Sequence, residues 1–241
     1  MKAYLTRLTH SERSESSDRD LALYLTFIAG AANAGGFMAV GQYTSHMSGI
    51  VSSMADTLVL GHGTLFLTGL FAVFCFILGA AASAILINWG RRKELRSVYA
   101  LPLAAEACLL VVFGFSGLIL SGNLPIIGLL CFIMGLQNAV ITKISGARIR
   151  TTHITGLVTD AGIEFGKLLY WNRTSPPGRS PVDADREKLK LLCTMIALFF
   201  TGGVSGAVVF TQFGTAAALF LAVPLAALTL FPLLEDFSAR K

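Results

Sequence analysis

The sequence predicts an all-α membrane protein with about six transmembrane helices, built as two inverted three-helix repeats that each contain a short broken or re-entrant helix. Three observations support this fold class. The composition is strongly apolar, with 54% hydrophobic and only 14% charged residues, whereas soluble domains carry about a quarter charged residues. The charged residues lie between long uncharged runs, and two motifs of the first half of the chain recur in the second half.

Six apolar runs are long enough to cross a bilayer. They cover residues 21–40, 64–88, 98–120, 124–142, 191–210 and 214–234. A crossing needs about 20 helical residues, and the backbone of a spanning segment must satisfy its own hydrogen bonds. The runs lack the alternation of apolar and polar residues that is typical of barrel strands, so helices are predicted.

The Lys and Arg residues predict the orientation of these helices. Four precede the first run, four follow the second, nine lie between the fourth and fifth, and two close the chain, which accounts for all 19. The connecting segments near 41–63, 121–123 and 211–213 contain none. Because Lys and Arg are enriched in cytoplasmic loops, we expect a multi-pass protein of the cell (inner) membrane with both termini in the cytoplasm.

The predicted organisation follows from the runs and the polar segments between them. It comprises a polar cytoplasmic tail (1–20), a first three-span repeat (21–120), a second, inverted repeat (121–235) with a cytoplasmic loop (171–188), and a cytoplasmic tail (236–241).

The internal repeat rests on two matched motifs. Residues 27–34 and 132–139 are identical at five of eight positions, and residues 44–51 and 151–158 share Thr, His, Gly and Val at equivalent positions. Both matches occur in the same order. A three-span unit contains an odd number of crossings, so the second copy must enter the membrane upside down, and transporters built this way bind their ligands between the repeats.

Each second motif forms a polar hinge, followed by a segment that is too short to cross and too apolar for an ordinary loop. These segments cover residues 48–60 and 155–169. Ser48 and Thr155 are N-cap residue types, so we expect a half-helix to begin at each. The N–H groups at its start would favour an anion or a ligand oxygen. We also expect the two Thr-x-His turns to lie at opposite faces of the protein.

The sequence resembles the YoaK-like family of bacterial six-span inner-membrane proteins, a domain of unknown function. The likeness rests on the six spans, on Asn33 late in the first run, and on the hydroxyl-Gly hinge that recurs after the fourth run. The likeness covers about residues 21–235. It implies the fold and an inner-membrane location, but no substrate. In that family the hinge Thr-Gly is followed by Asn, whereas Ile50 and Leu157 stand there in this sequence.

The candidate substrate-binding residues are the polar side chains of the repeated motifs. They are Asn33, Thr44, His46, Ser48, Asn138, Thr152, His153 and Thr155. The alternative interpretations are local ones: interhelical hydrogen bonds for the amides, and a turn at the membrane interface for the histidines.

Four acidic residues are candidates for proton or ion coupling. Glu106 lies inside an apolar run, where an ionisable residue is by default a hypothesis for function, although it could instead reach the interface. Asp56, Asp160 and Glu164 lie in the two short segments, where they could bind a cation or simply face water.

The sequence carries no HExxH, GxSxG, P-loop or CxxC signature, so we expect neither an enzyme nor a metal site or cofactor. We expect no nucleic-acid partner, because the basic residues lie between apolar runs and not in a stripe on a folded surface. The predicted function is a small-solute or ion transporter or channel of unknown substrate. The alternative is a non-transporting assembly or lipid-binding module. The expected partners are the lipid bilayer, a small solute or ion, and a further copy of the chain in a homo-oligomer.

Overall fold

The computed structural model describes residues 2–146, 151–170 and 182–238, and these residues form helices and connecting turns without any strand. In chain order the helices are α1 (Lys2–Thr9), α2 (Glu15–Val40), α3 (Met47–Val59), α4 (Gly63–Arg92), α5 (Ala100–Gly114), α6 (Ser116–Ile119), α7 (Asn123–Ile144), α8 (Ile154–Leu169), α9 (Arg186–Phe213) and α10 (Ala218–Ser238). The predicted loop 171–188 lies outside the described residues up to position 181, and α9 begins inside its last part.

Four helical segments are long and apolar enough to cross a membrane: Glu15–Val40, Gly63–Arg92, Asn123–Ile144 and Arg186–Ser238. The last contains two helices, α9 and α10, separated by a 3₁₀ turn that begins at Gly214, where φ is 57°. The apolar window of α4 is only 22% buried inside the protein. Such an apolar surface is typical of contact with lipid, because soluble proteins rarely expose large apolar patches. The protein is therefore a helical, multi-pass membrane protein.

The predicted third span differs from the structure. The run 98–120 forms α5, which has only 15 residues, and the four-residue helix α6. The break falls at Phe115, between Gly114 and Gly117. Glycine is among the poorest helix formers, which gives a physical reason for the interruption at this point.

The predicted N-terminal tail contains helical structure. It includes α1 and the first turns of α2, whose N-cap Ser14 accepts a hydrogen bond from the Ser17 N–H at 3.2 Å. The Arg13 side chain holds this segment in place: its Nε lies 2.6 Å from Asp18 Oδ1, and its guanidinium lies over the Tyr99 ring. The polar composition of residues 1–20 did not indicate this packing.

Two pairs of long helices pack through glycines. In the first pair, α2 and α9, a methyl group at Gly30 would overlap the Phe199 carbonyl, and one at Gly202 would overlap the Phe27 carbonyl. Gly35 lies against Phe210 farther along both helices, so α2 and α9 run in the same direction.

The pair α4 and α7 has the same construction. A methyl group at Gly79 would overlap the Phe132 carbonyl, and one at Gly135 would overlap the Phe76 carbonyl. Gly128 lies against Phe71 nearer the start of both helices, so this pair is also parallel. Small residues at such contacts allow the backbones of membrane helices to approach closely.

Helices α5 and α10 complete the bundle as an antiparallel pair. Gly114 at the end of α5 lies against Leu219 at the start of α10, and the Ser97 N–H just before α5 donates to Asp236 Oδ2 near the end of α10 at 2.8 Å. The main buried cluster joins this pair to α2 and α7, and includes Leu25, Leu103, Leu110, Phe113, Met134 and Leu225.

Candidate functional site

The two hinges meet at one cavity of about 760 Å³, called here the central cavity. Its lining residues come from both halves of the chain: Asn33, Tyr43, Ser45, His46, Met47, Ser48 and Phe76, and Asn138, Thr142, Thr152, His153, Ile154, Thr155 and Phe199. The expectation that the two Thr-x-His turns lie at opposite faces is therefore wrong.

The short helices α3 and α8 explain why the hinges meet. Helix α3 folds back along α4, with Ile50 and Met54 against Gly69, so its first residue Met47 reaches the level of Phe76 near the midpoint of α4. The first turn therefore lies at the level of the middle of α4 and not at its end.

The second half repeats this arrangement. Helix α8 folds back along α9, where Leu157 packs with Leu192 and Met195. Its first residues reach Phe199, near the midpoint of α9, and line the central cavity beside it.

The two asparagines fix the hinges by hydrogen bonds. Asn33 Oδ1 accepts from Ser45 Oγ at 2.8 Å and from the Ser45 N–H at 3.3 Å. Asn138 Oδ1 accepts from Thr152 Oγ1 at 2.6 Å, while its amide nitrogen donates to the Met134 carbonyl at 2.8 Å. Each hinge is thus tied to the long helix before it by an equivalent amide–hydroxyl bond.

The N-cap of each half-helix lies two residues earlier than the sequence suggested. The N-caps are His46 and His153, and helices α3 and α8 start at Met47 and Ile154, whereas Ser48 and Thr155 had been expected to cap them. Neither histidine caps its helix through its side chain. The imidazole instead lies over the first helical turn, and this position is available only because a glycine stands three residues later.

Thr44 is the one candidate binding residue that does not line the cavity. It is fully buried behind the hinge, beside Gly36 of α2, and its matched residue Thr151 is buried in the same way. The hydroxyls of both lack a hydrogen-bond partner among the described residues. Their shared position indicates a role in shaping the turn.

The sequence did not single out Tyr43, Ser45, Phe76 or Phe199 as part of the site. Ser45 could have been found, because it aligns with Thr152, which was a candidate. Phe76 and Phe199 each stand three residues before a helix-packing glycine, Gly79 or Gly202, and this shared spacing was also visible in the sequence.

The four acidic candidates do not line the central cavity. Glu106 is fully buried on α5, and both of its carboxyl oxygens lack a hydrogen-bond partner among the described residues. Asp56 is exposed, and Asp160 lies at the surface with one carboxyl oxygen 3.9 Å from Lys188 Nζ. A role of these residues in ion coupling stays a prediction.

Glu164 differs from the other acids because it is buried and paired. Lys167 Nζ donates to Oε1 at 2.9 Å, the Asp185 N–H donates to Oε2 at 3.0 Å, and Lys188 Nζ lies 3.7 Å away. The hydrogen bond from Lys167, together with that from the Asp185 backbone, holds the pKa of the Glu164 carboxyl below its ordinary value. Glu164 therefore connects the end of α8 to the start of α9.

The described residues contain no group of three or more His, Cys, Asp or Glu side chains placed to hold a metal ion. The site is instead a cavity of hydroxyl, amide, imidazole and aromatic groups.

Comparison with known proteins gives a family but no activity. No curated protein and no solved structure matches the chain. A family model described as a protein of unknown function, DUF1275, matches residues 21–231, which is most of the chain. The chain therefore belongs to the DUF1275 family of proteins of unknown function.

Proposed function

We propose that this protein transports a small uncharged or anionic solute across the inner membrane, with the central cavity as its binding site. The observation that carries the proposal is the composition of the cavity wall, in which matched residues of the two hinges face one space. Binding sites of transporters built from two repeats lie between the repeats, at interrupted helices near the middle of the membrane.

The helix contacts support two inverted repeats. The close approach of Gly30 to Phe199 is equivalent to that of Gly135 to Phe76, since residues 27–34 align with 132–139. The same correspondence relates the contact of Gly202 with Phe27 to that of Gly79 with Phe132. A contact that recurs after exchange of the two halves is what a two-fold relation between them requires.

The six proposed crossings are α2, α4, the broken pair α5–α6, α7, α9 and α10. Several of their ends meet at one side of the bundle: the Ser11 N–H donates to the Arg96 carbonyl at 2.6 Å, and Arg19 lies 3.9 Å from Glu187. The segments at this side also carry the clusters of Lys and Arg. This side is therefore proposed to face the cytoplasm.

The chemistry of the cavity wall favours an uncharged or anionic solute. Among the residues that the structure describes, the wall contains no Asp, Glu, Lys or Arg side chain. It does contain the starts of α3 and α8, where the first N–H groups of a helix have no partner within the helix. These donors and the positive ends of the two helix dipoles suit a ligand oxygen or a small anion.

The test is solute flux in liposomes containing the purified protein. Small anions and neutral polar solutes are screened with the wild type, the double variant His46→Ala/His153→Ala and the control His62→Ala. His62 caps α4 and does not line the cavity. Loss of two contacts worth about 1 kcal/mol each should reduce flux at least about tenfold, while the control transports normally.

If the double variant retains full flux, the proposed site is wrong. If no solute moves and the protein purifies in a stable complex with another membrane protein, the alternative of a non-transporting assembly module is favoured over transport.

A further inference from the structure

A second space, of about 390 Å³, lies in the groove between α3 and α4 and is called here the side cavity. It shares two wall residues with the central cavity, Tyr43 and His46. The Tyr43 ring stacks on Phe37, with the ring centroids 4.8 Å apart. Only these two side chains contribute to both spaces among the described residues, so they separate one from the other.

The equivalent groove of the second half, between α8 and α9, is filled. Leu157, Leu192 and Met195 form a buried apolar cluster there, with 6%, 7% and 1% of their surfaces exposed. We call this cluster the plug. A third space, of about 780 Å³, lies between the start of α2 and the helices α8 and α9, and its wall includes Asp160, Lys188 and Leu191. Among the described residues it shares no wall residue with the central cavity.

The repeat relates the open groove to the filled one residue by residue. Phe76 and Gly79 of α4 have the same spacing as Phe199 and Gly202 of α9, and this match aligns the two helices. In that alignment Gly69 and Ala72 correspond to Leu192 and Met195. The first groove has smaller side chains at these two positions. Met54 packs against Gly69 there, with Ile50 and Ala72 buried beside it, and the side cavity lies next to this cluster. The walls correspond in part: Ser53, Leu65 and Thr68 of the side cavity match Asp160, Lys188 and Leu191 of the third space, whereas the α2 side of the third space has no counterpart in the side cavity.

We propose that the solute reaches the central cavity from the external side, through the side cavity and past His46 and Tyr43, while the plug closes the route to the cytoplasm. This inference rests on the proposed transport function. It specifies that the protein is a carrier that works by alternating access, and that it is not a channel. A channel would need both routes open at once. In a carrier, the plug must separate while the side cavity closes, which a rocking of one repeat against the other would achieve.

The test is the reactivity of one cysteine in the central cavity. Ser48→Cys places a thiol in the wall, and a charged, membrane-impermeant methanethiosulfonate reagent is added to right-side-out or to inside-out membrane vesicles. Peptide mass spectrometry measures modification at position 48, so the four native cysteines stay in place. Because a minor conformation of a two-state protein is populated at about 0.1–10%, modification from outside should be at least about tenfold faster than from the cytoplasmic side.

Removing the plug should open the second route. Adding Leu192→Ala/Met195→Ala to the reporter should raise the rate from the cytoplasmic side at least about tenfold. Met54→Ala is the matched control, because Met54 lies in the wall of the side cavity and its truncation leaves the plug intact. This control should leave the cytoplasmic rate unchanged.

Equal rates from both sides in the reporter alone, or a faster rate from the cytoplasm, would overturn the inference. An unchanged cytoplasmic rate after removal of the plug in folded protein would also overturn it. The labelling rates do not depend on solute flux. They therefore separate failure of this inference from failure of the proposed function, which the histidine variants test.

Discussion

At the scale of single residues, the candidate site contains a histidine–glycine pair at the start of each short helix. His46 lies over Gly49, and His153 lies over Gly156. The glycine is required for the space above the first turn and not for its backbone angles, since both are inside regular helices. The repeated His-x-x-Gly spacing was visible in the sequence. The sequence did not show that the glycine leaves room for the imidazole ring.

Replacing the glycine below the imidazole should affect function without loss of stability. In Gly156→Ala the new methyl group would overlap the His153 ring, which must turn away from the helix. Alanine also favours a helix over glycine by about 0.5–1 kcal/mol. We expect a melting temperature equal to or above that of the wild type, measured in detergent, together with reduced flux of any solute found in the liposome screen.

The control for this prediction lies in the same helix. Gly162 has no atom within 4 Å of the position of an added methyl group. Gly162→Ala should raise the melting temperature and leave flux unchanged. Equal flux in the two variants would show that the seating of His153 has no role.

Glu164 predicts a pH dependence of stability. Because the pKa of this carboxyl is lowered in the folded protein, its charge stabilises the fold above the pKa of the unfolded chain. That contribution is lost as the pH falls through the folded-state pKa. Glu164→Gln should therefore lower the melting temperature at about pH 7, and the difference from the wild type should shrink below about pH 4.

The exposed ion pair of Glu187 with Arg19 provides a control for this effect. Its closest charged atoms are 3.9 Å apart, and the Glu187 side chain is 80% exposed. Such pairs contribute little, so Glu187→Gln should change the melting temperature only slightly at either pH. A Glu164→Gln difference that stays constant with pH would contradict the assignment.

At the scale of helices, the sequence predicted segments well where apolar length and turn chemistry agree. The runs 21–40 and 64–88 lie inside α2 and α4, and the two short segments correspond to α3 and α8 within a residue or so. The break between α5 and α6 was missed, because glycines inside a long apolar run weaken a helix without changing its hydropathy.

The glycine contacts between long helices lead to a prediction about packing. An added methyl group at Gly135 meets backbone atoms of Phe76, which cannot turn aside as a side chain can. Gly135→Ala should destabilise the protein by about 1–3 kcal/mol or more, the usual cost of overpacking. Gly30→Ala should cost a similar amount, because Gly30 makes the equivalent contact with Phe199.

Gly203 is a suitable control, since the nearest atom to its added methyl group is 3.8 Å away. Denaturation in mixed detergent micelles should place Gly203→Ala close to the wild type. If Gly30→Ala were harmless while Gly135→Ala were severe, the two contacts would not be equivalent, and the argument for a two-fold relation would lose its main support.

At the scale of the whole molecule, the matched motifs indicated which residues form the site, but not how they come together. A repeat in the sequence does not reveal that α3 and α8 fold back along α4 and α9, because folding back depends on side-chain packing in two separate grooves. The two grooves differ because Gly69 and Ala72 stand where the second groove has Leu192 and Met195, while Met54 of the first groove matches the smaller Ala161. Such differences have no meaning until the helices have been aligned in space.

The orientation of the whole molecule depends most on α5, the shortest of the proposed crossings. Its 15 residues extend about 22 Å, less than the roughly 30 Å of a hydrocarbon core, and α6 must complete the passage.

Four single cysteine substitutions at exposed positions determine the topology: Ser16→Cys and Ser238→Cys near the two ends, and His62→Cys and Ser121→Cys in the proposed external segments. With six crossings in the proposed orientation, both ends lie in the cytoplasm beside the Lys and Arg clusters. An impermeant thiol reagent added to intact cells should then modify positions 62 and 121 and spare positions 16 and 238. If α5 did not cross, position 121 would lie on the same side as the Arg96 loop and would react only after the cells are opened, and the second half could not be inverted relative to the first.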